Sequence, residues 1–219
     1  MATCPACGSA RTLVPVAEVA VVEAKVSVVT AETLARYQAG DRFVGETLRH
    51  ILTGPFGSDP LSLAFYGLPG SRKTTMMLQI AGEIADQETC LFASAEEGVR
   101  STLAEKLRRL EIHSPNLMLT NDTNILSLVE LAEQRRALWL FLDSVTILRL
   151  LPVDITAIAS RGLNLVFAMH ATKEGEYAGP SGIIHAVDAA VKLDAGRFCV
   201  TKNRFGPALE GALDVVTGV

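Results

Sequence analysis

An α/β fold, with a mainly parallel sheet covered by helices on both faces, is predicted by three features of this 219-residue sequence. Short apolar runs recur at 61–66, 90–93, 117–120, 138–142, 163–169 and 189–193, and helical patterns separate most of them. The runs are apolar throughout rather than alternating, as strands buried on both faces require. A Gly- and Pro-containing turn joins the first run to a helical pattern over 74–85.

The chain opens with Cys4-Pro5-Ala6-Cys7-Gly8. Two thiolates at this spacing grip one edge of a tetrahedral zinc ion, but no second Cys-x-x-Cys follows and His50 is the nearest other candidate ligand. Cys4 and Cys7 are therefore expected to form a vestigial zinc knuckle, with zinc shared between two chains as the alternative. Residues 14–30 alternate enough for one or two short strands, and 31–51 carry helical periodicity interrupted at Gly40. The expected organisation is a small N-terminal appendage over 1–30 and one main domain over 31–219.

The first core strand runs into Gly67, Leu68, Pro69, Gly70, Ser71, Arg72, Lys73, Thr74 and Thr75. Strand, Gly-containing turn, Lys-Thr and helix is the context of a phosphate-binding loop. Such a turn aims backbone N–H groups and a helix N-terminus at phosphate oxygens. Lys73 would reach the terminal phosphates, and Thr74 would offer its hydroxyl to Mg²⁺. Arg72 occupies the place where the pattern calls for glycine, whose missing side chain permits a left-handed backbone and close approach to phosphate.

The run at 90–93 leads into Glu96 and Glu97. A carboxylate at the carboxyl end of a parallel strand can orient or deprotonate the water that attacks a γ-phosphate, and Glu96 is the candidate base; the alternative is that both acids open a helix. The basic stretch over 100–109 reads as a solvated helix face. The run at 138–142 ends in Asp143, placed to hold the Mg²⁺ shell, with capping of the next turn as the bland alternative.

Composition sets the outer bounds. Hydrophobic residues make up 49% of the chain, enough for one sizeable core. The formal net charge of −4 gives no global attraction to nucleic acid, so any such contact needs a local basic patch. No stretch is apolar for long enough to span a bilayer, and the start lacks the order of a signal peptide. The four cysteines do not have the pattern of a secreted disulfide framework, and a cytoplasmic location without membrane contact is expected.

The carboxyl-terminal third carries His170-Ala171-Thr172-Lys173-Glu174-Gly175, then Ala178-Gly179-Pro180, His185-Ala186-Val187-Asp188 and Lys202-Asn203-Arg204-Phe205-Gly206. In this order the motifs resemble the bacterial RadA/Sms family of DNA recombination ATPases, relatives of RecA, over about 39–215. The resemblance implies a RecA-like P-loop NTPase core that binds ATP and Mg²⁺ through Lys73, Thr74 and Asp143. Glu96 would be the catalytic carboxylate, and His170 a sensor of the γ-phosphate. Lys202 and Arg204 would act on a neighbouring subunit's nucleotide, which implies a homo-oligomer or association with another RecA-like ATPase.

The loop over 172–184 corresponds in position to one with which RecA-like proteins touch DNA, so single-stranded or branched DNA is an expected partner. Relative to the family, the sequence is expected to be a reduced form, with half of the zinc finger, a shortened 143–163 segment and no Lon-like domain after Val219. Two functions are consistent with these residues. One is a DNA-dependent ATPase of recombination and repair with weak hydrolysis. The other is a catalytically impaired nucleotide-binding partner that regulates a full-length relative.

Overall fold

The computed structural model describes Ala31 and residues 44–172, 175–179 and 182–213. The chain divides into two compact units, Met1–Gln38 and Ala39–Val219. Cys4, Cys7 and the strands expected over 14–30 lie outside the described residues, as does most of the helical pattern over 31–51, of which Ala31 and helix α1 (Glu46–Ile51) are described.

The second unit alternates strands and helices: β1 (Ser62–Gly67), α2 (Lys73–Ala85), β2 (Cys90–Ser94), α3 (Ser101–Arg109), β3 (Leu117–Thr120), α4 (Ile125–Gln134), β4 (Trp139–Asp143), α5 (Val145–Leu148), α6 (Pro152–Ser160), β5 (Asn164–His170), α7 (Ile183–Ala186), β6 (Ala189–Asp194), β7 (Arg197–Asn203) and β8 (Glu210–Ala212). They form one sheet in the order β3-β2-β4-β5-β1-β6-β7-β8. The strands from β3 to β6 are parallel, and β7 and β8 close the edge antiparallel.

Alternation along each strand divides the apolar side chains between two cores. Leu63, Phe65, Phe92, Trp139 and Phe141 pack under α1, α2 and α3 on one face. Ala64, Leu91, Leu140, Leu142 and Phe167 pack under α4, α5 and α6 on the other. Both faces of the parallel strands are thus covered, as their unbroken apolar character requires. Phe141 is fully buried and stacks between Phe92 and Trp139, with centroid separations of 5.9 and 6.2 Å. Phe141→Ala is expected to destabilise the domain by about 3–5 kcal/mol, read as a shift in the denaturant midpoint.

At the amino ends of the strands, Asn164 acts as a polar staple. Its Oδ1 accepts from Leu61 N at 2.9 Å, and its Nδ2 donates to the Leu138 carbonyl at 2.9 Å. At the carboxyl ends, the pairing sets Gly67 level with His170 and Ser94 level with Asp143. That register gathers chemistry-bearing residues from four strands onto one edge.

Candidate functional site

The turn after β1 is shaped by one close approach and one left-handed residue. A side-chain carbon at Gly67 would lie 2.2 Å from the Leu193 carbonyl oxygen, so only glycine fits there. Arg72, the residue before α2, has φ 68° and ψ 21°, the left-handed conformation that glycine adopts without cost. For arginine that conformation costs about 1–2 kcal/mol. The sequence expectation at Arg72 therefore has a concrete backbone counterpart.

Lys73 begins α2 and is buried, its ammonium donating to the carbonyls of Gly67 and Leu68 at 3.0 Å each and to Ser71 Oγ at 3.4 Å. Burial pushes its pKa down, and Glu96 and Asp143 pull it back up. Thr74 donates its hydroxyl to Asp143 Oδ2 at 2.7 Å. Asp143 is 1% exposed, and its other oxygen, Oδ1, has no hydrogen-bond partner among the described residues. Burial raises the Asp143 pKa, opposed by the Thr74 hydroxyl and by Lys106, while Glu96 and Glu97 push it further up.

Glu96 is fixed by its backbone, because the Asp143 carbonyl accepts from Ala95 N at 2.6 Å and Glu96 N at 3.2 Å. Its carboxylate faces His170 Nε2 across 3.7 Å, and His170 Nδ1 is buried without a described partner. The His170 carbonyl accepts from Ala178 N at 2.8 Å, and Ala171 bridges to Tyr177, so the histidine is tied to the loop that follows. Lys173, Glu174 and Pro180 of that loop lie outside the described residues.

Pro69, Gly70, Arg72, Lys73, Thr74, Thr75, Glu96, Glu97, Lys106 and His170 line one cleft of about 260 Å³. A larger groove of about 370 Å³, lined by Gln79, Glu83, Arg109 and His113 among others, contains none of these residues. Buried polar atoms without a hydrogen-bond partner among the described residues gather at the smaller cleft: Glu97 Oε2 and His170 Nδ1 belong to residues that line it, Asp143 Oδ1 to the acceptor of the lining Thr74, and Ser94 and Ser144 adjoin Asp143 by pairing and by sequence. Buried polar atoms that the protein leaves unpaired suit a ligand that brings its own charge and water.

The cleft brings together Pro69, Gly70 and Arg72 to Thr75 with Glu96 and His170, Asp143 joins it through Thr74, and Lys202 and Arg204 are not among the residues that line it. β7 runs antiparallel to β6, so Lys202 pairs level with Ala190, itself level with Ala64 near the amino half of β1. Lys202 Nζ donates to the carbonyls of Ile184, His185 and Val187 at 2.9, 2.9 and 2.5 Å. Arg204 pairs with Asp188 at 2.9 Å, and Asp188 in turn accepts from the Ser62 hydroxyl at 2.6 Å. Phe205 packs against Phe56 at 5.2 Å, and a side-chain carbon at Gly206 would lie 2.4 Å from the Thr53 carbonyl. Within one chain, this motif fastens β7 to α7 and to the segment after α1.

Sequence reasoning missed Lys106 and the strand-end serines. α3 starts at Ser101, so Glu96 and Glu97 precede it in a turn rather than opening it. Lys106 follows the buried Leu103 by three residues and so shares its face, whereas Arg108 is exposed. Helical phase was the available signal. Ser94 and Ser144 carry no motif and become visible only through strand register.

No protein-family model matches the chain. Among curated proteins, several relatives share its sequence over most of its length. The chain is similar to bacterial proteins named DNA repair protein RadA. RadA of Escherichia coli (strain K12) is 29% identical over 212 residues, covering 85% of this chain and 44% of the relative. RadA of Salmonella typhimurium is 27% identical over 212 residues, with the same coverage. RadA of Aquifex aeolicus is 28% identical over 241 aligned positions, covering 98% of this chain and 54% of the relative. The chain therefore spans about half the length of the RadA proteins it matches. The likeness agrees with the resemblance carried by the carboxyl-terminal motifs, and the sheet and its helices form a RecA-like α/β core. Among the described residues, no helix is long and apolar enough to cross a membrane.

Proposed function

We propose that this chain is a RadA-type, cytoplasmic ATP-binding protein of DNA recombination and repair, and a DNA-dependent ATPase of low turnover. The observation that carries the reading is the convergence of Lys73, Thr74, Glu96 and His170 on one cleft at the carboxyl edge of a parallel sheet, with Asp143 bonded to Thr74. The names of the RadA relatives supply the biological context, DNA repair.

In this reading the backbone N–H groups of the turn and the start of α2 hold the phosphates, and Lys73 leaves its carbonyl partners to meet them. Mg²⁺ fits the donor set: Thr74 supplies a hydroxyl, and Asp143 has one carboxylate oxygen without a described partner to take a metal-bound water. When bound, the ion neutralises phosphate charge. Glu96 accepts the proton of the attacking water, and His170, facing that carboxylate and bonded to the following loop, relays the state of the cleft. That loop is the proposed contact for single-stranded or branched DNA. Arg204, with its side chain 55% exposed, is the residue available to a neighbouring copy or another RecA-like ATPase.

The left-handed backbone at Arg72 favours a second reading, an impaired nucleotide-binding partner that regulates a full-length relative. ATP turnover with and without single-stranded DNA, for the wild type and Arg72→Gly, separates the two. Turnover stimulated by DNA and raised by Arg72→Gly is expected, because glycine relaxes the turn. Its stability should change by less than about 1 kcal/mol, since relief of strain is offset by greater chain entropy. Nucleotide binding without turnover in either protein would select the regulatory reading.

A further inference from the structure

We propose that Lys106 is a second phosphate-binding cation of the cleft, held on Glu97 until the terminal phosphate of a nucleoside triphosphate takes over its ammonium. The inference rests on the nucleotide reading of the cleft and adds to it a residue that discriminates triphosphate from diphosphate.

Lys106 and Glu97 form an ion pair and both line the cleft, beside Thr74, Glu96 and His170. The pair is inward-facing: the Lys106 and Glu97 side chains are 24% and 27% exposed, against 67% and 68% for the Arg108 and Glu105 pair on the same helix. An exposed pair such as the latter is screened by water and contributes little. Lys106 by contrast lines the cleft together with its partner Glu97.

Glu97 is incompletely satisfied. Its Oε2 is buried and has no partner among the described residues, so Lys106 holds the carboxylate by one oxygen only. A terminal phosphate carries up to two negative charges and three acceptor oxygens, against one charge on a carboxylate, and is the stronger competitor for an ammonium. The partner of Lys106, Glu97, directly follows Glu96, the group proposed for the attacking water, and all three line the cleft. Lys73 rests instead on the turn, its ammonium donating to the Gly67 and Leu68 carbonyls. The attacking water meets the terminal phosphate, so in this proposal a cation paired beside Glu96 serves that phosphate, which a diphosphate lacks, while Lys73 and the turn hold the inner ones.

The test is calorimetric titration with a non-hydrolysable ATP analogue and with ADP, both with Mg²⁺, against wild type, Lys106→Met, Lys106→Arg and Glu97→Gln. Lys106→Met is expected to weaken the triphosphate about ten-fold, equivalent to about 1.4 kcal/mol, and to change ADP less than about two-fold. Lys106→Arg should keep the preference, and Glu97→Gln should tighten the triphosphate alone by releasing the lysine. If the wild type binds both ligands and Lys106→Met weakens them equally or not at all, the assignment of Lys106 is wrong while the cleft stands. If the wild type binds neither, the nucleotide reading falls and this inference with it.

Discussion

Asp143→Asn is expected to make the ligand-free protein more stable while removing its Mg²⁺-dependent nucleotide binding and turnover. Burial holds the Asp143 carboxyl above its ordinary value of 3.8, so the folded state binds this proton more tightly than the unfolded chain. Its contribution to stability is complete below the unfolded pKa and is lost as pH rises through the raised folded value. At neutral pH the buried carboxylate is therefore a liability in the absence of a ligand. Asparagine keeps the shape and still accepts from the Thr74 hydroxyl, but carries no charge. Thermal melts should show the variant ahead by a few degrees at pH 7, with the gap closing towards pH 4. A variant less stable than wild type at pH 7 would mean that Asp143 is a structural group and not one held charged for a cation.

Lys73→Ala is expected to lower ATP affinity by at least about 100-fold, the loss of charge-assisted bonds to the terminal phosphates. Lys73 is 6% exposed, and its ammonium rests on the Gly67 and Leu68 carbonyls. Lys73→Met preserves the packing of the stem and should bind as poorly as Lys73→Ala, which assigns the loss to the charge. Competition with a fluorescent nucleotide reads both variants. Affinity within about three-fold of wild type would detach residues 67–75 from phosphate binding.

Much of the site is legible in the sequence because phosphate loops and parallel strands carry dense local signals. Each parallel strand from β1 to β6 falls within one residue of its apolar run, since strands buried on both faces admit few polar residues. β7 is harder to read: Phe198 and Val200 are buried and alternate with exposed Cys199 and Thr201, the pattern of a half-covered edge. β8, Glu-Gly-Ala, has no apolar signature and is defined only by its pairing with β7.

The positions of Glu96 and Asp143 follow from strand ends, but their proximity follows from β2 pairing with β4, a contact between segments far apart in sequence. Lys106 shows the other kind of gap. A run of basic residues on a helix reads as solvated until the phase set by Leu103 shows which of them turns inward. Lys202 and Arg204 show a third, because a motif names residues and not the carbonyls of Ile184, His185 and Val187 that hold them.

The most direct measurement is a calorimetric titration of the unmodified chain with ATP, in Mg²⁺ and again with the metal chelated. One ATP per chain, bound more weakly after chelation, is the expected result, because Thr74 and Asp143 act through the ion. Absence of binding in both conditions, or binding of equal strength with and without the metal, would contradict the cleft as an ATP·Mg²⁺ site.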